Sequence, residues 1–267
     1  MSSSVVDVIK ETAAPSGTFS WYELMTTDTD AAGEFYSKLI GWTTRNMGND
    51  PMPYTIFEKD GMGIAGMMDL PKEAGPVPAW VGYIHVPDVD AYAERVVAAG
   101  GKIIRPPTDV PKMLRFCVVA DPQGAVFILF TSDPSMPSNP AKPAKLSPGT
   151  IGWHELMAGD LEQAFAFYSS MFGWVKGEAH DMGPMGVYQI FNDKEGAVGG
   201  MMTKPKELPA PFWNYYFMVD SCKAAAERLT AAGGKVVMGP HQVPGDSWIV
   251  QAQDPQGGFF CLNSIAE

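Results

Sequence analysis

The sequence contains most of itself twice. Trp21-Tyr22-Glu23-Leu24-Met25 returns as Trp153-His154-Glu155-Leu156-Met157, Phe35-Tyr36 as Phe167-Tyr168, and Gly41-Trp42 as Gly173-Trp174, all at a spacing of 132 residues. Farther along, Gly66-Met67-Met68 returns as Gly200-Met201-Met202 and Trp80 as Trp213. Ala98-Ala99-Gly100-Gly101-Lys102 and Asp121-Pro122-Gln123-Gly124 return at 231–235 and 254–257. The spacing drifts only to 133 or 134, so the two copies differ by very small insertions. A repeat of this length means a duplicated domain rather than a solenoid. The chain of 267 residues divides into a tail at 1–16, a first domain at 17–133, a connector at 134–148 and a second domain at 149–267. Each domain is long enough to bury its own core. Prolines at 134, 137, 140, 143 and 148 favour an extended polyproline II connector of roughly 45 Å rather than a peptide ligand.

Within each copy the pattern splits again. In the first, strands are expected near 19–25, 54–58, 63–68, 80–86, 102–105, 115–120 and 126–131, with helices at 29–40 and 89–99. Asp28 and Asp88 stand where N-caps belong, and Gly100-Gly101 where a helix ends. The Asp-Pro-Gln-Gly tetrapeptides read as tight turns between the last two strands. The whole is expected to be a βαβββ unit used four times.

Charge narrows the function. There are 19 basic against 30 acidic residues, a net charge of −11, and no basic cluster, so nucleic acid is excluded as a partner. No apolar run approaches the length of a membrane span. The start of the chain lacks the features of a secretory signal, and the three cysteines, Cys117, Cys222 and Cys261, are too scattered for a disulfide framework. Buried, reduced thiols and a cytoplasmic location are expected.

The Trp-x-Glu-Leu strand, the Phe-Tyr-x-x-Leu-x-Gly-Trp helix end, the Ala-Ala-Gly-Gly-Lys cap and the Asp-Pro-Gln-Gly turn together resemble the vicinal oxygen chelate superfamily. This is the family of glyoxalases, bleomycin-resistance proteins and extradiol dioxygenases, and the resemblance covers about 17–133 and 149–265. It implies an α+β fold of tandem glyoxalase-like domains. Four βαβββ modules would pair into two open, curved eight-stranded sheets with helices on the convex side. Metal-dependent members take ligands from the first and last strands of their modules. Carried over, those positions fall on Trp21, Val81, Ile128 and Ala65-Gly66 in the first domain, and on Trp153, Asn214, Cys261 and Gly199-Gly200 in the second. A hard metal needs several His, Asp or Glu ligands, so no metal and no cofactor is expected. His180 and His241 fall in expected loops, and strand alternation turns His154 away from Glu155.

The same alternation lines the first cleft with Trp21, Glu23 and Met25 and the second with Trp153, Glu155 and Met157. Tyr83 and His85 join the first, and Asn214, Tyr216 and Met218 the second. Arg115, matched by Trp248 in the second copy, is a candidate anion-binding residue of the first cleft. Aromatic and thioether groups around one carboxylate suit a small, flat, largely apolar molecule. Glu23 and Glu155 are the candidate catalytic residues, because burial raises a carboxylate toward the working range of a general base. The competing reading of each Glu is a brace for the fold. The adjacent methionines at 67–68 and 201–202 face opposite ways and read as packing, and Gly-Gly-Lys lacks the phosphate-loop frame. Cys261 has no His partner and reads as an inert thiol.

Four functions remain open at this level. They are sequestration of a small organic molecule, metal-independent lyase or isomerase chemistry on Glu, a metal-dependent glyoxalase or ring-cleaving dioxygenase with unusual ligands, and a purely structural module. Differences between the copies at Val81/Asn214, His85/Met218 and Arg115/Trp248 imply that one cleft acts alone or that each takes its own ligand. The oligomeric state is left open, a homodimer included.

Overall fold

In a computed structural model the chain is described at residues 17–48, 53–72, 75–135, 144 and 146–265. The first copy runs β1 (Phe19–Thr26), α1 (Thr29–Ile40), β2 (Thr43–Asn46), β3 (Thr55–Lys59), β4 (Met62–Asp69), β5 (Ala79–His85), α2 (Val89–Ala98), β6 (Lys102–Val110), β7 (Leu114–Ala120) and β8 (Val126–Ser132). The second repeats this order with β9 (Ile151–Ala158), α3 (Leu161–Phe172), β10 (Val175–Asp181), β11 (Val187–Asp193), β12 (Gly196–Thr203), β13 (Phe212–Met218), α4 (Cys222–Ala231), β14 (Lys235–Val243), β15 (Ser247–Gln253) and β16 (Phe259–Ser264). The two form eight-stranded mixed sheets ordered β2-β3-β4-β1-β5-β8-β7-β6 and β10-β11-β12-β9-β13-β16-β15-β14. The α+β tandem architecture is as expected. Two further strands, β2 and β10, complete the first module of each copy where the hydrophobic pattern is silent, because β2 is exposed along its whole length and β10 along most of it. His180 and His241 lie on β10 and β14 rather than in loops. Most of the proline-rich connector lies outside the described residues. Among them, no helix is long and apolar enough to cross a membrane.

The caps work as the sequence implies. Asp28 and Asp88 accept from the N–H groups of Ala31 and Ala91, and Asp160 and Ser221 do the same in the second copy. Gly41 and Gly173 end α1 and α3 in the left-handed region, at φ 84° and 71°, where a side chain would be strained.

One buried cluster runs through both copies, because aromatic side chains on α1 and α3 also meet the sheet of the other copy. Tyr36 on α1 packs edge-on against Trp80 of its own sheet and against Phe217 and Phe260 of the other. Phe127 meets Phe167 and Tyr168 in the reciprocal place. Each aromatic buried this way is worth about 1.5–3 kcal/mol.

The duplicated motifs meet polar partners across the same boundary. Tyr36 donates to Oδ2 of Asp254 at 3.0 Å, and Tyr168 donates to Oδ2 of Asp121 at 3.0 Å. The other oxygen of each aspartate accepts the backbone N–H groups of its own tight turn. Trp80 and Trp213 donate to those same tyrosines, and Trp42 and Trp174 donate to the carbonyls of Gly149 and Gly17. The helix-end and turn motifs thus tie one copy to the other. That is a structural task, carried out on the helix side of the sheets.

Candidate functional site

Strand alternation places the candidates, with one irregularity that matters. The register of β1 shifts between Phe19 and Trp21, so Phe19 joins Tyr22 and Leu24 in the core while Trp21, Glu23 and Met25 face the concave side. On β5, Tyr83 pairs with Trp21 and Val81 with Glu23, and Tyr83 continues to Ile128 on β8. The equivalent row in the second copy is Trp153, Tyr216 and Cys261, with Asn214 beside Glu155. The row shared by the first and last strands therefore passes through the tyrosines, one pair along from Val81 and Asn214.

Each cleft is built around one buried carboxylate. Oε2 of Glu155 accepts from Asn214 Nδ2 at 3.1 Å and from the Tyr216 hydroxyl at 3.0 Å. Burial raises its pKa, and the donors Asn214, Tyr216 and Tyr188 pull it partway back. Glu23 is raised in the same way by burial, opposed by the phenols of Tyr54 and Tyr83 and, more weakly, by the charge of Arg105. All four tyrosines are pushed upward by burial and by their glutamate, so they stay protonated and act as donors. The copies differ at one donor: Val81 stands where Asn214 supplies an amide.

Tyr54 and Tyr188 were not among the residues singled out from the sequence, yet they complete the sites. Trp21 and Trp153 donate their indole N–H to them at 3.2 and 2.8 Å. The tyrosines reach in only because glycine lies beneath: a Cβ on Gly66 would stand 1.7 Å from the Tyr54 hydroxyl, and one on Gly200 2.2 Å from the Tyr188 ring. A signal for both is present in the sequence. Tyr54-x-Ile-Phe returns as Tyr188-x-Ile-Phe at the same spacing of 134 that relates Gly66 to Gly200.

Two expectations change. Arg115 does not face the first cleft. It is on the helix side of β7, bonded to both carboxylate oxygens of Asp90 on α2 and to Asp109. Phe116 and Val118 hold the cleft side instead, and Arg105 on β6, the partner of Val118, lays its guanidinium 4.9 Å from the Phe116 ring centre. Met218 is sealed at 1% exposure against Gly152 and Leu146, so it is closed to a ligand. His85 packs edge-on against Phe130 at the end of the first cleft, 8% exposed. Met25 and Met157 stay half-buried on the concave faces. His154 points into the core, away from Glu155, as alternation requires.

The cleft floors are closely packed, with Tyr83 at 6% and Phe116 at 9% exposure. Hollows of 620 Å³ beside α4 and β14 and of 350 Å³ at the β6–β7 turn lie away from both glutamates. The residues do not fit a metal. Among those described, no three His, Cys, Asp or Glu side chains come together, and the neighbours of Glu23 are phenols, an indole, valine and glycine. The three cysteines are buried and free, and burial raises the Cys261 thiol well above its usual range, as an inert thiol requires.

Comparison with known proteins agrees with this architecture. The profile of the Glyoxalase/Bleomycin resistance protein/Dioxygenase superfamily matches residues 18–129 and 150–262. The chain is 31% identical over 253 residues to CFP32 of Mycobacterium tuberculosis, which carries a provisional glyoxylase name, covering 92% of this chain and 94% of that one. It is 31% identical over 272 residues to the anthracycline biosynthesis protein DauV of Streptomyces sp. (strain C5), covering 94% of each. Among solved structures, the Mn(II)-bound glyoxalase from Novosphingobium aromaticivorans aligns with a TM-score of 0.64 at 18% identity, over 95% of this chain and 83% of that one. The 2,2',3-trihydroxybiphenyl 1,2-dioxygenase of Sphingomonas wittichii strain RW1 aligns at 0.65 and 15%, over 94% and 90%. At such identities the two structures speak for the fold alone. By its duplicated sequence, its paired βαβββ modules and its relatives, the chain belongs to the glyoxalase/bleomycin resistance protein/dioxygenase superfamily.

Proposed function

We propose that the protein binds a small, flat, largely apolar organic molecule on its concave sheet faces, and that Glu23 acts on it as a metal-independent general base of lyase or isomerase type. The observation that carries this reading is the setting of Glu23. It is a buried carboxylate on the cleft floor, framed by Trp21, Tyr54 and Tyr83, with Val81 in place of the amide that holds Glu155. A carboxylate raised by burial is a stronger base than one in water, and the missing amide leaves it less satisfied. In the proposed step Glu23 takes a proton from a carbon next to a carbonyl. The C–H pair becomes a C=C bond, the carbonyl π pair moves to oxygen, and a tyrosine phenol donates to the resulting enolate. Return of the proton at another carbon isomerises the molecule; loss of a group from the neighbouring carbon completes a lyase reaction.

Glu155, with two donors on one oxygen, suits binding better than proton transfer, so sequestration is the reading for the second cleft. The test is proton NMR in D₂O with a panel of aryl ketones, following deuterium uptake next to the carbonyl. Wild type is expected to catalyse exchange and Glu23→Gln to lose it, with affinity held within a few-fold. Exchange that survives Glu23→Gln, or that requires an added divalent metal, overturns the reading.

A further inference from the structure

The chain has five arginines, all described, and four of them are engaged. Arg45 pairs with Glu58, Arg115 with Asp90 and Asp109, and Arg228 with Asp220, while Arg95 donates to the carbonyls of Ser170 and Met171. Arg105 has no ion-pair or hydrogen-bond partner for its guanidinium among the described residues. It is the one arginine of the five so placed, in a chain with 30 acidic and 19 basic residues.

Its place in the fold gives the reason. The register of β6 shifts on both sides of Arg105, next to Pro106-Pro107, where the ladder loses its N–H donors. The shift pairs Arg105 with Val118 and sets its guanidinium over the ring of Phe116, so an exposed cation stands at the rim of the apolar first cleft, close enough to act on Glu23 and Tyr83. In the second copy the same repeat positions carry Met238 and Gln251, which are uncharged. The floors diverge in the same sense: Val81, Ile128 and Phe130 in the first cleft stand where Asn214, Cys261 and Asn263 stand in the second.

We infer that the first cleft is specific for a planar apolar molecule carrying an anionic group, with Arg105 as its specificity residue, while the second cleft takes an uncharged ligand. The inference rests on the reading of the clefts as ligand sites and adds the charge that each one accepts. The apolar side chains of Trp21, Val81, Phe116, Ile128 and Phe130 hold the ring, and a guanidinium with no ion-pair partner among the described residues receives a carboxylate without first breaking an ion pair. The flanking Phe116 face keeps the guanidinium plane oriented while the cleft is open.

The experiment compares 1-naphthoate with 1-naphthamide, which share shape and differ in charge. Titrations are followed by tryptophan fluorescence in the full-length protein, in Trp21→Phe and Trp153→Phe to locate the signal, and in Arg105→Met, which copies the second cleft. Thermal unfolding confirms that Arg105→Met, an exposed substitution, is folded. Naphthoate is expected to bind the first cleft about tenfold more tightly than naphthamide, and Arg105→Met to remove that advantage while leaving naphthamide within about twofold. Equal binding of the two probes by wild type, or naphthoate binding unchanged in Arg105→Met, overturns the charge assignment and leaves the cleft reading standing. If neither probe perturbs Trp21, both fall together.

Discussion

Tyr22 and His154 occupy the same position of the repeat, 132 residues apart, and they meet each other: the Tyr22 hydroxyl lies 2.5 Å from Nε2 of His154. The other ring nitrogen, Nδ1, lies 2.6 Å from the carbonyl oxygen of Val198, which can only accept. Nδ1 therefore carries the proton of the neutral ring, and Nε2 accepts from the phenol, whose own pKa burial raises well above its usual value. Phe19 stacks on the imidazole at 4.2 Å, so the pair sits in an aromatic stack on the boundary between the copies. A second pair of equivalent positions is complementary in the same way: Tyr215 accepts the N–H of Gly82 and fills the space that a side chain at 82 would need. At both pairs of positions the two copies carry different residues that fit one another.

Loss of one member of this pair exposes its dependence on the other. Tyr22→Phe leaves a buried imidazole nitrogen without its donor, and a loss of about 1–3 kcal/mol in unfolding free energy is expected. Urea denaturation of Tyr22→Phe, His154→Phe and the double variant should give a coupling of about 1 kcal/mol or more. Strict additivity would show the contact to be energetically silent.

Gly66→Ala tests the seat of Tyr54. The added Cβ falls inside the phenol, so the ring must leave Glu23, at an overpacking cost of about 1–3 kcal/mol. The same substitution in a Tyr54→Ala background should cost clearly less, read as the difference in denaturation midpoints. An equal cost in both backgrounds would place the strain elsewhere.

Acidity at Glu155 makes a signed prediction. Its pKa is raised on folding, so above the unfolded value of about 4.3 the folded state holds the extra proton, and stability falls as pH rises through the folded pKa. Glu155→Gln removes that dependence. Its midpoint relative to wild type should therefore climb between pH 4 and the folded pKa and level off above it, as followed by urea denaturation at a series of pH values. A difference that shrinks with rising pH would mean that the donors outweigh burial.

Tyr36→Phe removes at once the donor to Asp254 and the acceptor of Trp80. A loss of about 1–3 kcal/mol is expected, with ligand binding at the concave faces unchanged, because Tyr36 lies on the helix side of the sheets. Calorimetric unfolding together with a probe titration would separate the two effects, and weakened binding would mean that the boundary between the copies is coupled to the clefts.

What the sequence settled by itself is what repeats or alternates. The duplication, the βαβββ order, the aspartate caps and the cleft side of Trp21, Glu23 and Met25 are local patterns, and a period of two or a capping residue needs no knowledge of distant chain. Tertiary structure decided what depends on register and on approach. Arg105 rather than Arg115 reaches the first cleft because bulges beside Pro106-Pro107 re-aim β6, while β7 turns Phe116 and Val118 to the cleft and Arg115 to the helix side, where Asp90 on α2 meets it. Tyr54 reaches Glu23 only across Gly66, two strands in from the sheet edge. The single core arises because aromatic side chains of α1 and α3 reach past their own sheets to the sheet of the other copy, a long-range contact that no local pattern along the chain contains.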